Sequence, residues 1–127
     1  MNKALLQYLA VGVAGFIGAI ARVAVGSAVG RLKITFPLGT LVINVSGSLF
    51  LGWFYAYVTD RHPVSATTRL AIGAGFVGAY TTFSTFMYES DQLARDGAWL
   101  EAASNIVGSL ILGLLAVRLG MIVARRM

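Results

Sequence analysis

The sequence predicts an all-α integral membrane protein with four transmembrane helices and a break in the third. Hydrophobic residues make up 57% of the 127 residues and charged residues only 12%, about half of the roughly 25% that is usual in soluble domains. The apolar residues fall into four stretches, each near the roughly 20 residues that a helix needs to cross a bilayer. Short polar segments separate them, so we expect a single transmembrane domain over residues 1–127.

The four predicted spans follow one another with short connections. The first follows Lys3 and is too long for the apolar region of a signal peptide, so we expect an uncleaved helix. Pro37 opens the second, since proline is tolerated in a first helical turn. Arg118 lies near the end of the fourth, where its side chain reaches the interface. The spans cover residues 4–29, 36–58, 70–87 and 98–123. The connections are residues 30–35, 59–69 and 89–97.

The third span contains the unusual stretch "GAGFVGAYTTFSTFMYES". Gly73, Gly75 and Gly78 weaken the helix, and hydroxyl side chains just after them can bond backbone groups freed by a break. These hydroxyl residues are Thr81, Thr82, Ser84 and Thr85. Freed carbonyls suit a hard cation, while nearby hydroxyl donors suit an anion. Phe83 and Phe86 share one helix face and can present the positive edges of their rings.

Two polar residues lie deep in the other spans. Arg22 lies some eighteen residues into the first apolar stretch, where an ionised group is costly. It either reaches the far interface near Arg31 and Lys33, or it supplies a fixed positive charge that attracts an anion into a cavity. Asn44 in the second span favours the cavity, because its amide offers N–H donors and otherwise needs a buried partner.

The helix faces and the loop charges predict association with further copies. Small and polar residues at spacings of three and four form one face of the first, second and fourth spans, which favours close helix packing. The basic residues near span ends divide five to three between the two sides. They are Lys3, Arg61, Arg69, Arg125 and Arg126 against Arg31, Lys33 and Arg95. Because Lys and Arg set orientation, this weak bias leaves open both an antiparallel homodimer and a fixed orientation.

Several other functions are disfavoured. The stretch "GAGFVG" matches G-x-G-x-x-G, but a dinucleotide site needs a preceding strand and a soluble βαβ unit, so we expect helix packing there. The chain has no cysteine, which excludes disulfides and thiolate metal sites. The net charge of +5 is scattered over loops and termini, which indicates anchoring at the membrane edge rather than nucleic-acid binding. No nucleophile, base and orienting group converge, so we expect no enzyme.

The sequence "GAYTTFSTF", the asparagine of "NVSGS" in the second span and Arg22 late in the first together resemble the Fluc family of small fluoride channels. The resemblance covers the whole chain. It implies a multi-pass protein of the bacterial inner membrane that assembles as an antiparallel, dual-topology homodimer with two fluoride pores. It further implies passive, electrogenic export of fluoride and a central structural Na⁺.

The same resemblance assigns roles to individual residues. It makes Phe83 and Phe86 the rings that contact fluoride and Asn44 the amide that lines the pore. The whole anion pore would comprise Arg22, Thr40, Asn44, Phe83, Ser84, Thr85, Phe86, Asn105 and Ser109. The backbone carbonyls of Gly78 and Thr81, from both copies, would bind the Na⁺. Glu89 would be a carboxylate at the pore mouth, and Asn105 stands where an aromatic hydroxyl is expected.

Two alternatives remain. A small multidrug exporter also uses short four-helix chains, but it needs an Asp or Glu within a span, and we expect all five acidic residues at span ends or in loops. A structural membrane subunit would leave Arg22, Asn44 and the hydroxyl cluster unexplained.

Overall fold

The computed structural model describes residues 2–127, and these form helices and connections without a strand. The helical elements are α1 (Lys3–Gly30), α2 (Leu38–Asp60), α3 (Ala66–Leu70), a π-helical segment (Ala71–Val77), α4 (Gly78–Tyr80), α5 (Phe83–Arg95) and α6 (Trp99–Arg126). Four stretches are long and apolar enough to cross a membrane: α1, α2, the run from α3 through α5, and α6. The prediction of four spans is therefore confirmed, and the chain is a multi-pass integral membrane protein.

The bundle has apolar side chains on its outside and small residues between its helices. Phe16 of α1 and Leu114 of α6 expose most of their surfaces, as expected for residues that contact lipid. α2 packs most extensively against α6, while α1 packs against the π-helical segment and α4. Without a hydrophobic force between helices in lipid, such packing depends on close contact of small residues.

Glycines make the closest of these contacts. A Cβ added at Gly120 of α6 would collide with the carbonyl oxygen of Leu49 and lie 2.7 Å from the backbone nitrogen of Trp53, both in α2. A Cβ added at Gly52 of α2 would lie 3.0 Å from the carbonyl carbon of Val117 in α6. The backbones of α2 and α6 therefore touch at two places where only glycine fits.

Three predicted boundaries were wrong, one of them by two residues and the other two by four or more. α2 begins at Leu38, so Pro37 is its N-cap rather than part of its first turn. The connection predicted at 59–69 is shorter in the structure, because α3 already begins at Ala66. The Ser65 hydroxyl caps this helix by accepting a hydrogen bond of 3.0 Å from the Thr68 N–H. This side-chain oxygen satisfies a donor that the first turn leaves free.

The connection predicted at 89–97 is mostly helix, since α5 continues to Arg95. Its polar residues lie on the outer face of a helix end, where Arg95 pairs with Asp91 at 2.7 Å. Gly97, with a φ of +79°, then turns the chain into α6. As a result Glu89, expected at a span end or in a loop, lies within the helical run of the third span.

The third span contains the predicted interruption, and it lies at the threonines that follow the glycines. Gly73 and Gly75 belong to the π-helical segment, where Gly75 packs against the backbone of α1 and a Cβ would lie 2.8 Å from the Val11 carbonyl oxygen. The chain then becomes extended at Thr81 and Thr82, with ψ values of 160° and 119°. The two early glycines therefore serve close packing, and the break lies at the threonines.

Candidate functional site

The amide of Asn44 joins α2 to the break in the third span. Its Nδ2 donates to the carbonyl oxygen of Thr82 at 3.0 Å, and its Oδ1 accepts from the Thr82 N–H at 2.8 Å. One side chain thus satisfies both backbone groups of a residue that has left the helix, as buried backbone in a membrane requires. An amide has two N–H donors, so this arrangement leaves one for another partner.

The break also diverts two backbone N–H groups from the carbonyls that they would bond in a continuous helix. In a continuous helix the N–H of Thr82 would donate to the carbonyl of Gly78, but here it donates to Asn44. The N–H of Thr85 would donate to the carbonyl of Thr81, but here it donates to the Thr82 hydroxyl at 3.3 Å. Gly78 and Thr81, the two residues expected to bind a cation, therefore have carbonyl oxygens available as hard ligands.

Phe83 and Phe86 have neighbouring rings, but one ring is exposed and the other is buried. Phe83 is 73% exposed, whereas Phe86 is 5% exposed. Their ring centroids are 6.1 Å apart with the planes at 62°, an edge-to-face arrangement. Phe83 lines an open groove of about 250 Å³ together with Asn44 and Thr81. This groove places polar groups and an aromatic ring on the outer surface at the middle of the bundle.

A larger cavity of about 600 Å³ lies between α1, α2 and α5. Arg22, Thr40, Thr85 and Glu89 all line it. The Thr40 hydroxyl donates to Glu89 Oε1 at 2.9 Å, while Oε2 is buried and has no hydrogen-bond partner among residues 2–127. Arg22 is eight residues from the end of α1, about 12 Å along the axis, and borders this space. The same cavity is lined by Gly30 and Thr35 at the far end of the bundle, so both interpretations of Arg22 fit this position.

Asn105 and Ser109 lie in a different place from the residues of this cavity. Asn105 is only 2% exposed, and its Nδ2 donates to the Ser90 hydroxyl at 2.9 Å. Ser90 in turn donates to the carbonyl oxygen of Phe86 at 2.7 Å, and Ser109 approaches Asn105 Oδ1 at 3.5 Å. This chain of contacts fastens α6 to α5 at the backbone of Phe86. Within one chain, Asn105 is thus a helix-locking residue.

Sequence reasoning missed two residues of this region. Ser90 lies four residues after Phe86 and therefore on the same face of α5, which was the available signal. Tyr80 was given no role, yet its hydroxyl bonds the Ser46 hydroxyl at 2.8 Å just before the break. Ser84, which was predicted, is exposed at the start of α5.

The sequence was compared with known protein families and with characterised relatives. The model of the family described as CrcB-like protein, Camphor Resistance (CrcB), matches residues 9–121. The chain belongs to the CrcB-like family. A protein of Idiomarina loihiensis named "Fluoride-specific ion channel FluC" is 46% identical over 92% of this chain and 91% of its own length. A protein of Acidobacterium capsulatum with the same name is 44% identical over 95% of this chain and 98% of its own length. Another, of Solibacter usitatus, is 38% identical over 95% of this chain and 100% of its own length.

In this CrcB-like chain the predicted site residues other than Ser84 form three groups. The break gathers Asn44, Gly78, Thr81 and Phe83. The cavity gathers Arg22, Thr40 and Thr85 with Glu89. The α5–α6 contact gathers Phe86, Asn105 and Ser109. Thr82 links the first two groups, since it bonds Asn44 and also borders the cavity.

Proposed function

We propose that this chain is a fluoride-selective channel that lets the ion leave the cell passively and electrogenically. The similarity to proteins named as fluoride-specific channels extends over nearly the whole chain. The observation within the structure that carries the proposal is the group at the break, where the neutral Asn44 amide and threonine side chains lie beside an exposed aromatic ring. The reaction is transport, so no catalytic residues are required.

The chemistry of this group suits a small, strongly hydrated halide. Passage requires donors that replace the ion's water without holding it too tightly, which neutral hydroxyl, amide and aromatic-edge groups provide. Arg22 in the 600 Å³ cavity supplies a fixed positive charge that raises the local anion concentration. The proposed path runs from this cavity past Thr85 and Thr82 to the phenylalanine rings.

We further propose that two copies assemble as an antiparallel homodimer with two such paths. Polar groups at mid-membrane are rarely left facing lipid, yet Asn44 and Thr81 border an outward-facing groove. The ends of one chain also differ in charge. The end that carries the termini has five basic residues against Asp60 alone, while basic and acidic residues nearly balance at the other end. An antiparallel arrangement sets the basic end of one copy beside the balanced end of the other.

The dimer is proposed to hold one structural Na⁺. The carbonyls of Gly78 and Thr81, whose helical donors are diverted, offer oxygen ligands from each copy. Its test compares dimer lifetime on dilution in NaCl and in N-methylglucamine chloride. We expect faster dissociation without Na⁺ and recovery when Na⁺ is restored. Equal lifetimes in the two salts would refute the cation site.

The channel function is tested by fluoride efflux from proteoliposomes, with a fluoride electrode as the readout and valinomycin to carry the balancing K⁺. Wild-type protein should release fluoride only when valinomycin is present and should pass chloride hardly at all. Phe83→Ile should lower the fluoride rate by about tenfold or more with the dimer intact on size exclusion. Phe16→Ile is the matched control, because Phe16 is 69% exposed on α1, comparable to the 73% of Phe83.

Asn44→Asp should also reduce flux, since it removes N–H donors and adds a negative charge beside the path. Normal fluoride rates in both Phe83→Ile and Asn44→Asp would place the path elsewhere. Glu89 within the third span favours a small multidrug exporter, which needs an acidic residue there. Uptake of a quaternary ammonium dye driven by a proton gradient, without fluoride flux, would support that alternative.

A further inference from the structure

We propose that the groove between α2 and α6, at the arginine-rich end of the bundle, binds an anionic phospholipid. The groove has a volume of about 290 Å³ and is separate from the cavity that contains Arg22. Apolar or small residues form most of its length, and Thr59, Asp60 and Arg125 lie at its mouth. Its apolar walls are Leu51, Gly52, Ala56, Val117 and Met121.

Three arginines from three parts of the chain meet at this mouth. Arg125 of α6 contacts Asp60 Oδ2 at 3.3 Å, and Arg61, just after α2, donates to the carbonyl oxygen of Arg125 at 2.8 Å. Arg69 of α3 approaches the Thr59 hydroxyl at 3.5 Å. Three guanidinium groups thus face a single carboxylate, so the mouth carries an excess of positive charge.

The arginines keep most of their hydrogen-bonding capacity for a ligand. A guanidinium has five N–H donors, and within residues 2–127 Arg61, Arg69 and Arg125 each donate one hydrogen bond. Phosphate oxygens match the fork of an arginine and accept two parallel bonds from it. The unused donors therefore suit a phosphate group, and the charge excess favours a lipid with a net negative headgroup.

The depth of the groove suits one lipid chain. From Leu51 to Asp60 is nine residues of helix, about 14 Å, or roughly half of the 30 Å hydrocarbon core. The mouth lies where α2 and α6 end, at the level of the headgroups. The apolar floor therefore lies in one leaflet, where an acyl chain is the available partner, and the arginines lie beside its phosphate.

A second copy of this chain is the competing occupant, because the groove shares Leu51 with the groove beside Phe83. A protein partner would have to bring carboxylates to the three arginines. In an antiparallel dimer, the end of the second copy without the termini would face these arginines. Its acidic residues are offset by Arg31, Lys33 and Arg95, and Asp91 is already paired with Arg95. A phospholipid supplies the missing negative charge without adding positive charge, so it is the better match.

Native mass spectrometry of the detergent-purified protein tests the site with phosphatidylglycerol and phosphatidylcholine of equal chain length. We expect wild-type protein to bind phosphatidylglycerol more tightly, and Arg61→Gln with Arg69→Gln to weaken that binding by about tenfold. The matched control removes two arginines at the other end, Arg31→Gln with Arg95→Gln, and should leave binding unchanged. Equal losses in the two double variants would overturn the site, as would no loss in the first.

Two further measurements test the groove itself. Val117→Phe narrows its floor and should weaken binding of both lipids, whereas unchanged binding would argue against an acyl chain there. A photoreactive benzophenone attached through Thr59→Cys, in a chain with no native cysteine, identifies the neighbour by mass. A phospholipid adduct supports the proposal, and a second protein chain as the adduct overturns it. None of these readouts uses fluoride flux, so they are independent of the channel function.

Discussion

The contact between α2 and α6 makes a sharp prediction for Gly120→Ala. The added Cβ would collide with the Leu49 carbonyl oxygen and lie 2.7 Å from the Trp53 backbone nitrogen. Non-bonded heavy atoms involving carbon prefer separations of about 3.5–4.0 Å, so α6 must move away by roughly 1 Å. Both neighbours are backbone atoms of α2 and have no rotamer that relieves the contact.

The size of the effect follows from this geometry. Adding a methylene to a tightly packed interior usually costs about 1–3 kcal/mol. Because the colliding atoms are fixed and Gly52 forms a second close contact on the same pair of helices, we expect about 3 kcal/mol. At about 1.4 kcal/mol per factor of ten, this lowers the folding equilibrium constant by about 100-fold.

The assay is reversible unfolding in mixed micelles with increasing dodecyl sulfate, followed by circular dichroism. Gly108→Ala is the matched control, since it lies in the same helix and a Cβ there meets nothing within 4 Å. It should leave stability unchanged or raise it by up to about 1 kcal/mol, the difference in helix propensity. Equal stability of the two variants would refute the close-contact reasoning.

Three further predictions concern the site. Asn105→Leu should cost about 1–3 kcal/mol in the same unfolding assay, because it leaves the Ser90 hydroxyl without its buried donor, and adding Ser90→Ala should recover part of the loss. Thr82→Val should destabilise α5 by about 1 kcal/mol through loss of its N-cap, while Thr82→Ser should keep wild-type stability. Arg22→Gln should lower fluoride efflux and weaken its dependence on ionic strength, measured in proteoliposomes at two salt concentrations; an unchanged salt dependence would contradict the role of the charge.

The spans could be predicted from sequence because transfer into lipid depends on summed composition over some twenty residues. The helix ends could not, because polar residues on the outer face of a terminal turn resemble a loop. Asp91 and Arg95 illustrate this: they were assigned to a connection, yet they pair across one turn of α5. The Ser65 cap was missed for the same reason, since a serine near a proline also fits a turn.

The site was predicted in its residue types more than in its geometry. Asn44 was identified as polar and buried, but its partner across 38 residues of sequence follows from where the helices meet. Gly73 and Gly75 were expected both to pack against other helices and to weaken the third span. Sequence did not separate these two uses, and in the structure both glycines make close contacts. Asn105 was assigned to the pore from the family resemblance. Its hydrogen bond to Ser90 could not be predicted, because that contact depends on how α6 is rotated against α5.

The two phenylalanines give the strongest physical reason to expect a second copy. Their rings are 6.1 Å apart, but Phe86 is buried while Phe83 is exposed beside Asn44 and Thr81. An ion passing over Phe83 would have protein on one side and hydrocarbon on the other, which is prohibitively costly for a charge. A fluoride path at this surface therefore requires another protein wall. If single chains trapped at high lipid dilution conducted fluoride at the dimer's rate per chain, the path would have to lie within one bundle.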